Sequence, residues 1–182
     1  MAEPASPPKV KLICGMISAR AELFDQAAKE MEGLFAPVEL TSEVMSFDFT
    51  DYYDRQMGSP LWRRLVAFAG CRSPDVLVEA KWATNALERQ FALRLGGPPQ
   101  RPINLDVGYV EPSKLVLASM KNFSHRIYLG RSVYADLTLM YRRGAWEALP
   151  WTFPDYASGR YHPFLTQVRA LLRQQVQQED SR

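Results

Sequence analysis

The sequence predicts one α+β domain: a mixed, mainly antiparallel sheet with helices packed on it. Three observations carry this. The chain opens as strand, helix, strand. Four strand-like segments then follow one another between Lys114 and Leu149 with only tight turns between them. Finally, 182 residues with 47% apolar composition suit a single core, since a domain spans roughly 100–200 residues and a chain of this size buries about 70% of its unfolded surface. A two-layer sandwich fits this pattern, with a ferredoxin-like arrangement as one form of it. The strand order stays open.

Residues 1–9 (MAEPASPPK) are Pro-rich and read as a disordered leader, 10–178 as the domain, and 179–182 as a frayed tail. Val10 to Ile17 is a short apolar, β-branched run and reads as a buried strand. Ser18 is placed to cap a helix from Ala19 to Phe35. Its apolar set, Leu23, Phe24, Ala27, Ala28, Met31, Leu34 and Phe35, repeats every three or four residues and forms one face. Pro37 stops it. Val38 to Phe49 reads as one bulged strand or two. Leu61 to Ala69 reads as a short helix behind Pro60, and Ser73-Pro74 opens a longer one that Gly96-Gly97-Pro98-Pro99 ends. Ile103 to Val110 is extended. Lys114 to Met120, His125 to Leu129, Val133 to Tyr141 and Ala145 to Leu149 read as an antiparallel meander, with a hairpin at Gly130-Arg131-Ser132. His162 to Gln177 closes the domain as an amphipathic helix.

Composition excludes several classes. Lys and Arg number 22 against 20 Asp and Glu, a net charge of +2. That gives no strong nucleic-acid or membrane signal. No apolar run approaches the ~18 residues of a membrane span. Two cysteines, Cys14 and Cys71, and no signal-peptide pattern point to a reducing cytoplasm.

The chemistry-bearing residues crowd into short words: FDFTDYY (47–53), NLDVGY (104–109), KNFSHRIYLG (121–130) and LPWTFPDY (149–156). Each mixes charged or amide groups with aromatic rings at the edge of a regular element, as pieces of a shared pocket would. These words, with KWATNALE (81–88) and SKLVLAS (113–119), occur in an order that resembles a prokaryotic family known only as a domain of unknown function, DUF4416. The resemblance covers nearly the whole chain after the leader. It implies membership and no activity. No G-x-x-x-x-G-K-[ST] phosphate loop is present.

Within the words, Asp48 and Asp51 could act as a base or share Mg²⁺, which prefers oxygen ligands; capping and backbone bonding are the structural alternative. His125 titrates near neutrality and suits acid–base catalysis, or else a satisfied core position. Lys121 and Arg126 suit an anion. A hairpin register that sets Arg126 opposite Asp136 and Tyr128 opposite Tyr134 offers Arg126 a structural partner instead. Asn104, Asp106, Tyr109, Trp151 and Asp155 complete the candidate ligand-binding set. Asn85 joins it from a helical face shared with Lys81, Thr84 and Glu88. The leading expectation is a cytoplasmic protein that binds or acts on a small anionic molecule, a nucleotide or phosphorylated metabolite. The alternative is a non-catalytic interaction domain anchored by Tyr52, Tyr53, Trp151 and Tyr156.

Overall fold

The computed structural model describes every residue except Met1, Ala2, Pro4, Tyr52 and Arg182, and all of Asp180 but its side chain. The leader reading therefore lies partly outside the described residues, as does the expectation for Tyr52. The elements are β1 (Lys11–Ser18), α1 (Leu23–Leu34), β2 (Val38–Thr41), β3 (Met45–Ser46), α2 (Asp54–Met57), β4 (Trp62–Phe68), α3 (Val76–Leu95), β5 (Asn104–Glu111), β6 (Lys114–Ser119), β7 (Arg126–Gly130), β8 (Val133–Arg142), β9 (Ala145–Ala148), α4 (Pro154–Ala157) and α5 (His162–Asp180).

One sheet runs in the order β2-β4-β1-β5-β6-β8-β7, with β3 on β4 and β9 on β8. Every pairing among the described residues is antiparallel. The strands β1, β2, β4 and β5 with α1 and α3 follow the ferredoxin-like split order, in which β4 lies between β1 and β2. The later strands extend the sheet from the β5 side.

All eight residues of β1 are buried because both sheet faces are covered. Leu12, Cys14 and Met16 point to a core with α1 and α3. Ile13 points to a second core with Tyr161, Phe164, Leu165 and Val168 from α5 and the segment before it. The sheet and α1/α3 form the two expected layers, and α5 adds cover on the opposite face.

Three local expectations are corrected. Leu61 to Ala69 is not a helix: its center is β4, in the middle of the sheet. Leu65 and Ala67 face the α5 core and Val66 and Phe68 the other. With both faces buried, the run loses its polar alternation and its period becomes ambiguous. Ser18 does not cap α1. It ends β1, donates to the Pro102 carbonyl at 2.7 Å and accepts from the Arg20 amide at 2.9 Å. The last four strands are not a simple meander, because β8 inserts between β6 and β7. The connection from Met120 to His125 is long enough to cross. The ten-residue β8 then offers one edge to both β7 and β9.

A discontinuity in the sheet positions the site. β5 pairs with β6 only from Gly108↔Leu117 to Glu111↔Lys114. Below Gly108, β5 stays with β1, while β6 above Leu117 stays with β8. The sheet therefore forks. Gly108 sits at the crotch, where an added Cβ would lie 2.4 Å from the Val116 carbonyl oxygen. Beyond it the Leu105 backbone has no partner on the β6 side and must find one. α3 supplies it: the Leu105 amide donates to Glu88 Oε1 at 2.6 Å, and Lys81 Nζ donates to the Leu105 carbonyl at 3.3 Å.

Gly108→Ala should therefore destabilize the fold by about 1–3 kcal/mol, because the clash is with backbone and cannot be relieved by a rotamer. Gly33→Ala, in α1 with nothing within 4 Å of the new methyl, should stabilize it by about 0.5–1 kcal/mol. Urea unfolding midpoints of the two variants should move in opposite directions. A neutral Gly108→Ala would contradict the tight crotch.

Candidate functional site

A cavity of about 660 Å³ opens at the fork, within the roughly 300–1,000 Å³ usual for small-molecule sites. α3 contributes Lys81, Asn85 and Glu88. The start of β5 contributes Asn104 and Asp106, and the end of β6 with its following loop contributes Ser119, Met120 and Lys121. Arg126 and Asp136 come from β7 and β8. Phe47, Phe49, Thr50 and Tyr53 form one covering segment, and Phe153 to Tyr156 the other. Two of the four chemistry-bearing words thus reach the cavity through four residues each, KNFSHRIYLG through Lys121 and Arg126, and NLDVGY through Asn104 and Asp106.

Arg63 organizes one wall. It is 2% exposed. Its Nη1 donates to Asp155 Oδ2 at 2.9 Å and its Nη2 to the Tyr156 hydroxyl at 2.7 Å, with Asp106 Oδ2 at 3.7 Å. The guanidinium also lies 4.9 Å from the Tyr156 ring centroid and 5.3 Å from that of Tyr161. Burial alone would lower its pKa, but Tyr156 and Asp155 hold it well above the usual value. The charge fits because Gly15 faces it: a Cβ there would stand 2.5 Å from Nη2. Burial likewise pushes the Tyr156 hydroxyl upward, against the opposing pull of Arg63. Asp155, expected to bind ligand, lines the cavity and is paired with Arg63, anchoring the short α4.

A second cluster surrounds Asp136. Arg126 Nε donates to its Oδ2 at 2.8 Å, in the register expected from the hairpin, and His125 Nε2 lies 3.3 Å from the same oxygen. Arg126 Nη1 donates to Ser119 Oγ at 2.9 Å and to the Lys121 carbonyl at 3.0 Å. His125 stands behind this cluster and does not line the cavity. Its ring stacks on Trp151 at 5.2 Å and 10°, and the Trp151 indole donates to the Leu137 carbonyl at 2.8 Å. His125 and Trp151 brace the wall that carries Arg126. Ser119 Oγ accepts from both Arg126 and the Lys121 amide and donates to the Lys121 carbonyl at 3.4 Å, so the hydroxyl is held in the hydrogen bonds of this wall.

The floor is polar. Glu88 Oε2 accepts from Arg101 Nη2 at 3.1 Å, Asn104 Oδ1 accepts from the same guanidinium, and Asn104 Nδ2 donates to Asp106 Oδ2 at 2.8 Å. Burial raises the Glu88 pKa, partly offset by Arg101 and Lys81. The Tyr53 hydroxyl is pushed up to about 12 by burial and the nearby Asp106 charge. Asn85 Nδ2 points to Met120 Sδ at 3.0 Å.

Other expected site residues lie elsewhere. Asp48 is exposed and accepts from Arg160 Nη1 at 3.1 Å, and Asp51 is exposed; neither lines the cavity. Among the described residues no group of three His, Cys, Asp or Glu is placed to hold a metal. Tyr109 packs against the α1/α3 core instead of the cavity. Tyr156 is 1% exposed, so it cannot anchor a partner surface. Conversely, Arg63, Arg101 and Tyr53 line the cavity without having been singled out as ligand-binding. An arginine alternating with buried apolar residues in WRRLVAF was the available signal for Arg63. Arg101 stands in a loop and carried none.

The family model for a domain of unknown function (DUF4416) matches residues 8–171. The chain belongs to that family. No curated protein and no solved structure matches it. No helix among the described residues is long and apolar enough to cross a membrane.

Arg63→Met should cost about 3–5 kcal/mol in chemical unfolding, because Asp155 would keep a buried charge without its counter-ion. Pairing it with Asp155→Asn should recover part of that loss. A single-variant cost below about 1 kcal/mol would show that the guanidinium does not hold this wall.

Proposed function

We propose that this member of the DUF4416 domain family binds a small anionic molecule, a nucleotide or phosphorylated metabolite, in the forked cavity. The observation that carries the reading is Lys81. The residue is 7% exposed and lines the cavity, and its ammonium has one hydrogen-bond acceptor, the Leu105 carbonyl, with no ion pair among the described residues. A buried cation with no carboxylate in direct contact is expensive; Glu88 acts on it at longer range, and an anion in the cavity would add a direct counter-charge. Among the described residues, Arg126 has Nη2 left over after its bonds to Asp136, Ser119 and Lys121, and Arg101 has Nη1 and Nε. Lys121 adds a further cation at the rim.

Aromatic rings of Phe47, Phe49, Tyr53 and Phe153 give the ligand an apolar surface. Magnesium enters this reading only as a companion of the ligand's phosphates. The free thiols Cys14 and Cys71 agree with a reducing, cytoplasmic setting.

A second reading has its own observation. On the sheet edge, β7 exposes Ile127 at 69%, Tyr128 at 60% and Leu129 at 43%, beside Phe123 at 63%. An uncharged apolar edge of this kind suits a protein partner. Those residues, with Trp151 at 38%, are the anchors that reading would use among the described residues, in place of Tyr53 and Tyr156.

Isothermal titration with nucleotides and sugar phosphates tests the first reading. Wild type should bind at least one, and a ligand at about 100 times its Kd should add about 2.7 kcal/mol to stability. Lys81→Gln, which keeps a donor for Leu105, should weaken binding about tenfold or more. Unchanged affinity in a folded Lys81→Gln would overturn the reading. If no anion binds while the β7 substitution Ile127→Lys abolishes self-association or partner capture, the interaction reading replaces it.

A further inference from the structure

The cavity holds unused acceptors as well as unused donors, and this narrows the ligand. Asp106 is the main one. Its side chain is 28% exposed and lines the cavity. Oδ2 takes the Asn104 amide at 2.8 Å and faces Arg63 Nη2 at 3.7 Å. Oδ1 has no partner among the described residues. Asn85 repeats the pattern on the α3 side: its Nδ2 is turned to Met120 Sδ, and its Oδ1 has no partner among the described residues. A ligand without hydrogen-bond donors, such as a dicarboxylate, would meet these oxygens with lone pairs and be repelled. A ligand that fits must bring hydrogen-bond donors to Asp106 and Asn85 and an anionic group to Lys81 and Arg126.

The donor at Asp106 is better neutral than charged. Arg63 and Asn104 already supply its Oδ2 with a cation and an amide, and Arg101 lies just beyond Asn104. A ligand ammonium would face those guanidinium groups, whereas a hydroxyl would not. Charge-assisted hydrogen bonds from hydroxyls to carboxylate are short and strong.

From these two observations, and resting on the reading that the cavity binds an anion, we propose that its ligand is a hydroxylated phosphate, a sugar-bearing one, and that Asp106 is the residue that reads its hydroxyls. The sugar comes either as a free sugar phosphate or as part of a nucleotide. The Phe47 and Tyr53 rings can take the apolar face of a sugar or of a base, so the test separates the two sources.

The experiment is calorimetric titration of wild type and Asp106→Asn with inorganic phosphate, butyl phosphate, ribose 5-phosphate and AMP. Wild type should bind ribose 5-phosphate or AMP at least about tenfold more tightly than butyl phosphate, which has the charge and no hydroxyl. Asp106→Asn should bring that ratio close to one while leaving butyl phosphate affinity unchanged or improved, since a negative charge has left the site. AMP well above ribose 5-phosphate would assign a nucleotide, and equal affinities a free sugar phosphate. Butyl phosphate binding as tightly as ribose 5-phosphate in wild type would overturn the proposal while the anion reading stands, and needs no variant to fold. A ratio that survives in folded Asp106→Asn would overturn the role of Asp106. Binding of none of the four would sink both.

Discussion

The fork between β5 and β6 is the constraint on which the site depends. Backbone amide and carbonyl groups at a sheet edge inside a protein need partners, at a cost of a few kcal/mol each when left without. Below Gly108 the strand that would serve Leu105 has turned away. The long α3 fills that role with a carboxylate and an ammonium, Glu88 and Lys81. An ordinary structural requirement thereby brings two opposite charges into the wall of a cavity. Glu88 is answered by Arg101, whereas the hydrogen-bond acceptor of Lys81 among the described residues is a carbonyl. On the proposed reading, the same residues that mend the sheet supply the cations to which an anion would bind.

A buried guanidinium holds the other wall. Arg63 faces Gly15 on the neighboring strand and ties β4 to the α4 segment through Asp155 and Tyr156. Burying a charge is costly unless pairing and hydrogen bonds compensate, and here a carboxylate, a phenol and two ring faces do so. Because α4 is a single turn, its position relies on this contact more than on its own hydrogen bonds. Asp106, beside the same cluster, bonds Asn104 through Oδ2 and lines the cavity. The aromatic covering segments thus rest on a rigid base, whereas the fork leaves room between them.

Much of the fold was legible because its signals are local. The apolar stripe of α1 repeats along one helix, and the Arg126–Asp136 and Tyr128–Tyr134 pairs lie within one hairpin. β4 was not legible: burial on both faces removes the alternation that marks a strand. The insertion of β8 and the fork were hidden for a related reason, since both depend on which distant strand a segment meets. The site divided along the same line. The polar words did mark the cavity, and Lys121, Arg126, Asn104, Asp106, Asn85 and Asp155 line it. His125 shares its word with Arg126 yet lies behind it, because Trp151 from a distant loop takes its ring face. Asp48 shares its word with Phe47 and Phe49 but turns to Arg160. Residue type marks which segment reaches a pocket; tertiary partners decide which side chain in it faces inward.

The most direct test of the account is an NMR titration of isotopically labeled protein with ribose 5-phosphate. The account predicts saturable shifts on both prongs of the fork, at Lys81, Asn85, Leu105 and Asp106 on one side and at Ser119, Lys121 and Arg126 on the other, with Ile127 to Leu129 little changed. Shifts confined to the outer β7 edge, or no saturable shifts with any phosphate compound, would contradict it.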